Sequence, residues 1–319
     1  MSEPQYDVLV VGGAGVDTIV RVEELRLPPG DSVFVPPVYD YVAHTGNGVA
    51  LGWHALGLAT KFIDFLGDDA QGRSVLDAYA ARGLDFSHVV SPHGTPRGVN
   101  LVDPQGRRFS FYDGRHPAGL RLPRDFYLPY LERARHVHLS ITGINRDMYD
   151  DIRRLGLTCS TDLHDWDGHN PHHRGYALAS DQVFLSAAAI HGRVDEVLHS
   201  IVDEGRARLV VATDGADGCH VLVRGDAAVR HFPAVRPERP VVDSNGAGDA
   251  FVTAFLYALF EGKPVEECVL AGSVSGAFAC GSAGTHTEFI DLPGLRAACA
   301  RARTDGGARA NAWAAPAAE

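Results

Sequence analysis

The chain has 319 residues, 29 Lys and Arg against 40 Asp and Glu, and a formal net charge of −11 with His neutral. At 45% hydrophobic and 22% charged residues the composition is that of an ordinary globular protein, and a chain of this length buries roughly three quarters of its unfolded surface. That supports two domains, or one large α/β domain with an insertion. The negative balance argues against nucleic-acid and anionic-membrane partners, and no apolar run approaches the roughly 18 residues of a membrane span. The acidic start of the sequence does not read as a signal peptide. Five scattered cysteines without a C-x-x-C pair read as small buried hydrophobes in a reducing compartment, so a cytoplasmic location is expected.

In chain order, Val8-Leu9-Val10-Val11 is a continuous apolar run ending in Gly12-Gly13, as in a central strand covered on both faces. Similar runs recur at 61–66, 137–141, 157–163, 182–185 and 209–213, and helical patterns lie between them at 49–56, 71–82, 147–155 and 194–204. Strands alternating with helices predict βαβ units and a mostly parallel sheet. Two stretches break the rhythm. Residues 32–42 are extended around Pro36-Pro37, and residues 98–112 read as a hairpin turning at Asp103-Pro104-Gln105-Gly106. Both are expected outside the main sheet as a small β flap. From Thr304 the Ala- and Gly-rich chain has little to bury, and a disordered tail over 304–319 is expected.

The segment Val241-Val242-Asp243-Ser244-Asn245-Gly246-Ala247-Gly248-Asp249 is followed by eleven residues that are apolar except for Thr253. A helix apolar all round must be buried. Two glycines at its start let backbone N–H groups approach a ligand, and the helix dipole adds about half a positive charge there. This is a phosphate cradle, with Asp249 placed to accept a proton; the alternative is that the glycines only form a turn and Asp249 only caps the helix. Gly13-Ala14-Gly15 after a strand also suggests a dinucleotide fingerprint, but Thr18 stands where the third glycine belongs and a β-branched run follows, which argues against it.

Residues 243–249 resemble the D-T-x-G-A-G-D signature of the ribokinase-like (PfkB) carbohydrate kinases, with Ser in place of Thr. Val10 to Asp17 is similar to that family's first strand and sugar-binding Asp, residues 62–72 to its G-D-D-x-x-G segment, and residues 210–218 to its T-x-G-x-x-G nucleotide strand. The resemblance runs over about residues 6–300. It implies a three-layer α/β sandwich around a mostly parallel sheet, over residues 1–303, with a β-lid from about 31–43 and 97–112. It further implies transfer of the γ-phosphoryl group of ATP to a sugar hydroxyl. Asp249 would be the base, and the N–H groups of Gly246, Ala247 and Gly248 the anion hole. Asp17, Gly46 and Asn47 would bind the sugar, and Thr213, Gly215 and Asn245 the nucleotide. Mg²⁺ would bridge the phosphates, K⁺ would sit beside Asp243 as in many members, and the lid would exclude water and join a homodimer.

The sequence departs from the family pattern in two places. The first sugar loop, usually G-G-x-x-x-N, reads Ala43-His44-Thr45-Gly46-Asn47-Gly48, with His44 either facing the sugar or packing under the lid. At Phe184 to Ala189, Ala189 stands where the family's N-x-x-E carries the Glu that organises Mg²⁺ waters. The acid- and His-rich loop 162–173 offers Asp162, Asp165 and Asp167 as substitutes; its alternative reading is a polar loop near the phosphates. Arg115, beside the lid with Arg97, resembles the Arg that meets an acidic substrate, and a planar guanidinium suits a carboxylate or phosphate. The alternative for Arg115 is an exposed arginine at the lid. The reading is therefore a sugar kinase acting on a sugar or sugar-like substrate, with an acidic sugar as one candidate on the strength of Arg115. The alternatives are a nucleoside kinase and a non-catalytic sensor on the same scaffold.

Overall fold

A computed structural model describes residues 4–26, 30–104 and 107–304; the expected tail, apart from Thr304, lies outside the described residues. β1 (Tyr6–Val11) opens a main sheet, and β2 (Gly15–Arg21) turns away into a second sheet with β3 (Tyr39–Ala43). Next come α1 (Thr45–Ala55), β4 (Thr60–Gly67), α2 (Ala70–Arg82) and β5 (Asp85–Ser91), before β6 (Arg97–Val102) and β7 (Arg108–Asp113) return to the second sheet. α3 (Arg124–Leu131), β8 (Ala134–Leu139), α4 (Met148–Leu155), β9 (Thr158–Asp162), α5 (Pro171–Ala179), β10 (Gln182–Ser186), α6 (Val194–Glu204) and β11 (Leu209–Thr213) then alternate. β12 (Cys219–Val223) and β13 (Arg230–Phe232) finish the sheet, and α7 (Ala247–Phe260), α8 (Val265–Ala279) and α9 (Leu292–Thr304) close the chain.

The main sheet has nine strands in the order β13-β12-β11-β10-β9-β8-β1-β4-β5, parallel except for β12 and β13. Side chains on β1 alternate: Val8 and Val10 enter one core, Leu9 and Val11 the other, the period of two that lets one strand serve both faces. The first core lies against α1, α2, α7, α8 and α9, and the second against α3 to α6, giving three layers. From β1 the chain builds through β4 and β5 to one side and from β8 through β11 to the other. The crevice between the carboxyl ends of β1 and β8 is thus the switch point where such sheets bind ligands.

The second sheet has the order β3-β2-β6-β7 and is mixed, with β2 and β6 parallel. Only Tyr39–Ala43 of the extended 32–42 stretch is a strand; the two prolines lack the N–H a ladder needs. The second sheet, which stands where the lid was expected and is called the lid below, also contains β2, where Thr18-Ile19-Val20 favour a strand. Register puts Tyr41, Asp17, Gly98 and Tyr112 in one row across the sheet, and Tyr39, Ile19, Asn100 and Ser110 in the next. Arg21, Val102 and Arg108 form a third row on the same face. This face is turned toward the carboxyl end of the main sheet.

Candidate active site

The turn before α7 ends at Gly246, whose φ of 79° lies in the left-handed region that glycine tolerates. The Ala247 N–H donates to the Ser244 carbonyl at 3.3 Å, and the amides of Gly248 and Asp249 that follow belong to the first turn, which has no helical carbonyl one turn back. A Cβ on Gly248 would meet no protein atom within 4 Å, so a side chain there would project over this helix end. Asp243 steadies the turn: Oδ1 accepts the Asn245 N–H at 3.0 Å, and Oδ2 lies 3.2 Å from Nη2 of Arg21 on the lid. A second lid arginine, Arg108, donates from Nη1 to Asn245 Oδ1 at 2.6 Å. Both oxygens of Asp243 are therefore engaged by protein donors.

Asp249 stands in the first turn of α7, and its Oδ2 is 2.7 Å from Nε2 of His286. His286 Nδ1 is in turn 3.0 Å from Nδ2 of Asn47, which also donates to the Val42 carbonyl at 3.2 Å. Asn47 is wholly buried. Nearby, burial raises the Asp162 carboxyl, with the negative charge of Asp249 adding to it and His164 opposing it. His164 places Nε2 3.0 Å from the Thr45 hydroxyl.

Asp17 faces the same space from the lid. Asn100 Nδ2 donates to its Oδ2 at 3.0 Å, and His44 Nε2 lies 3.1 Å from Oδ1. Burial alone would raise the Asp17 carboxyl, but His44 and Asn100 hold it below its ordinary value. Ser110 donates to Asn100 Oδ1 at 2.5 Å, and Tyr112 meets His44 edge-on. His44 thus packs under the lid and touches Asp17 as well. Gly46 lets α1 approach the end of β1, since a Cβ there would fall 1.9 Å from the Gly12 carbonyl oxygen. Beneath, buried Asp64 accepts the Ala14 N–H at 2.7 Å and so shapes the turn leading to Asp17.

The remaining sequence candidates are spread around this centre. Arg115 is paired with Asp113, Nε to Oδ2 at 2.6 Å, and that pairing lowers the Asp113 carboxyl. In the G-D-D-x-x-G segment, Asp69 caps α2 and accepts the Thr95 N–H at 2.8 Å. Thr213 ends β11, with its hydroxyl on the Leu185 carbonyl, and Gly215 (φ 53°) has open space where a Cβ would stand. Ala189 is exposed after β10. Of the three loop acids, Asp162 lies near Asp249, whereas Asp165 is exposed and Asp167 accepts the His169 and Asn170 amides.

Among the described residues, four non-glycine residues have positive φ: His44, Arg115, His164 and His286. Such conformations cost of order 1–3 kcal/mol and gather at functional sites. Three of them carry imidazoles that contact Asp17, Thr45 and Asp249. Arg21, Arg108, Asn100 and His286 escaped the sequence reading. Arg108, Ser110 and Tyr112 do alternate along the hairpin, a period-two signal for one face; His286 sits in a loop with no periodicity.

A switch-point crevice, a carboxylate at the open end of a buried helix and a small sheet folded over both define a lidded α/β phosphotransferase with an alcohol acceptor. The model of the pfkB family carbohydrate kinases matches residues 182–291. Acarbose 7(IV)-phosphotransferase of Actinoplanes sp. is 48% identical over 296 residues, spanning 92% of this chain and 98% of its own. The 5-dehydro-2-deoxygluconokinase of Geobacillus thermodenitrificans is 24% identical over 306 residues, 86% of this chain and 88% of its own. Among solved structures, the microbiome-derived acarbose kinase Mak1 superposes with a TM-score of 0.85 at 47% identity, covering 93% of this chain and 100% of that one. Arabidopsis thaliana ribokinase shares the fold at 0.77 and 20% identity, covering 93% and 99%. The chain belongs to the PfkB family of carbohydrate kinases.

It is accordingly a sugar kinase that transfers a phosphoryl group to an alcohol on a sugar-like small molecule, and the enzyme reading holds over the sensor. ATP is the family's donor, and Mg²⁺ is implied with it. Among the described residues no helix is long and apolar enough to cross a membrane.

Proposed function

We propose that this kinase phosphorylates a hydroxyl of acarbose or a closely similar oligosaccharide, with MgATP as donor. One observation carries the reading: Asp249 at the open end of α7 faces a lid whose inner face presents Asp17 and Asn100. The full-length likeness to an acarbose phosphotransferase supports the acceptor. Asp17, Asn100 and Ser110 bind acceptor hydroxyls, with Gly46 and Asn47 shaping the floor. Thr213, Gly215 and Asn245 lie along the nucleotide. Asp249 takes the hydroxyl proton as the acceptor oxygen bonds to the γ-phosphorus and the bond to the β–γ bridging oxygen breaks, releasing ADP. The amides of Gly246, Ala247 and Gly248 hold the charge on the transferring group, since such transfer depends on position and electrostatics.

Arg115 is paired through Nε with Asp113, which offsets part of the charge that an acidic acceptor would meet and so supports a polyhydroxyl one. The guanidinium of Arg21 supplies the positive charge beside Asp243 that the resemblance assigns to K⁺. Exposed Phe109 and Phe111 on the outer face of β7 support a homodimer through the lid, and the five unpaired cysteines support a reducing, cytoplasmic setting. ADP release measured across acarbose, simple sugars, sugar acids and nucleosides tests the acceptor, with NMR of the product locating the phosphate. Preference for a nucleoside or a sugar acid, with acarbose inert, would overturn it.

A further inference from the structure

Asp249 does not stand alone. The Val42 carbonyl accepts from Asn47 Nδ2 at 3.2 Å, which fixes how the amide is turned, because the opposite orientation would set two oxygens against each other. The same Nδ2 lies 3.0 Å from His286 Nδ1, so that ring nitrogen accepts and the proton is on Nε2. Nε2 is 2.7 Å from Asp249 Oδ2. The chain from Val42 through Asn47 and His286 to Asp249 therefore has one consistent assignment of donors and acceptors.

Its surroundings are built to hold this pair. The His286 side chain is 4% exposed, and its backbone is in the left-handed region at φ 55°, a conformation kept only where contacts enforce it. A Cβ on Gly48 would fall 2.3 Å from His286 Nε2 and 2.7 Å from Asp249 Oδ2, and one on Gly246 would fall 2.7 Å from His286 Cδ2. Gly284 in the same loop is covered by Tyr41 of the lid, 2.5 Å from where its Cβ would be. The loop bearing His286 is thus clamped between the lid and the helix that carries the base.

We propose that His286 is the positioning residue of the base. Its Nε2–H holds Oδ2 of Asp249, leaving Oδ1 as the oxygen that receives the acceptor's proton, and Asn47 sets the tautomer that makes this possible. The inference rests on Asp249 being the base. A carboxylate free to rotate about its side-chain torsions would meet the hydroxyl in the right geometry only part of the time, and a misplacement of about 1 Å costs on the order of 10²-fold in rate.

The test compares His286→Ala, His286→Asn and His286→Gln by steady-state kinetics with acarbose, or the best acceptor found, and ATP. We expect His286→Ala to lower kcat about 10- to 100-fold while both KM values stay within about threefold, the pattern of a lost transition-state interaction. Gln places an amide N–H where Nε2 was, so His286→Gln should recover most of the rate and the shorter Asn should not. Adding His286→Ala to Asp249→Asn should cost nothing further, because the ring acts through the carboxylate. In the unmodified protein, ¹⁵N NMR should report His286 protonated at Nε2 only, a readout that stands even if a variant fails to fold. Near-parental kcat in folded His286→Ala, a Gln variant as slow as Ala, additive loss in the double variant, or a proton on Nδ1 would each overturn the inference. Near-normal turnover by Asp249→Asn would overturn the assignment of the base instead.

Discussion

Arg108 Nη1 lies 2.6 Å from Oδ1 of Asn245, tying the inner face of the lid to the turn that opens α7. Arg21 makes a parallel tie to Asp243 from the same row of the lid. The two contacts bring two positive charges from the second sheet to the turn that opens α7, where the proposed function needs the charge of the phosphates to be met. Arg108→Ala should lower kcat/KM for ATP by about one to two decades, the value of a hydrogen bond to a charged group at about 1.5–3 kcal/mol. Thermal stability should change little. Steady-state kinetics and a melting curve on one preparation decide it; an unchanged kcat/KM would mean the contact only decorates the closed lid.

The Arg21–Asp243 pair makes a claim about salts. With a guanidinium at 3.2 Å from Oδ2, turnover should be the same in potassium, sodium or bulky organic cations at equal ionic strength. Arg21→Ala leaves buried Asp243 short of a partner, so activity should fall and then recover in part as potassium is added. A parent enzyme that needs potassium would refute this.

Asp249→Asn keeps the size of the side chain and its place in the first helical turn but cannot take a proton. The expected loss in kcat is on the order of 10²–10⁴, the range of general-base catalysis, with acceptor and ATP dissociation constants by calorimetry nearly unchanged.

Two buried rings predict the acid side of stability. Burial pushes His136 down to about 3 and His138 to about 4 from an ordinary 6.5. Hydroxyls of Thr158 and Ser160 bond the His136 ring at 2.8 Å. Between the folded and unfolded values the unfolded chain binds more protons, so stability rises with pH there. The contribution is fully present above about 6.5 and lost as pH falls toward 4, with a slope of up to about 1.4 kcal/mol per pH unit for each ring. Buried Asp64, raised to about 7 by burial, contributes the opposite slope over this range, so the readout is a difference: from pH 7.5 to 5, denaturant midpoints at fixed ionic strength should fall less steeply, or rise more, in His138→Gln than in the parent. Parallel profiles in the two proteins would contradict it.

Gly48 offers a steric check. A methyl group there points at the His286–Asp249 pair, and overpacking a dense site costs about 1–3 kcal/mol. Gly48→Ala should therefore slow turnover more than it lowers the melting temperature would suggest. The converse result would place the role of Gly48 in folding alone.

Much of this protein is local in origin. The apolar runs at β1, β4, β10 and β11 and the all-apolar face of α7 announce a buried parallel sheet and a buried helix, because burial on both sides demands continuous hydrophobicity. The turn from Asp243 to Asp249 is legible for a similar reason: its glycines, its carboxylate and the helix that follows lie within one short stretch, so the chemistry can be read from adjacent residues.

Tertiary structure decided what depends on distance along the chain. His286 reaches Asp249 across a loop and a helix of the main body, Asn100 reaches Asp17 between two strands of the second sheet, and Arg108 reaches Asn245 only where that sheet folds over the main one. Nothing within a few residues of His286 marks it, since its role comes from Asn47 and Gly48 on a helix far upstream. Register made the inner face of the lid: a shift of one residue in β7 would turn Arg108 and Ser110 outward and bring Phe109 and Phe111 over the site. The sequence by itself determined the layers and the Gly-rich turn before α7, through hydrophobicity and backbone conformation. Which donors hold Asp249 and which charges lie over that turn required the packing of distant segments, because hydrogen bonds and steric clearance are set in space and leave no period in the chain.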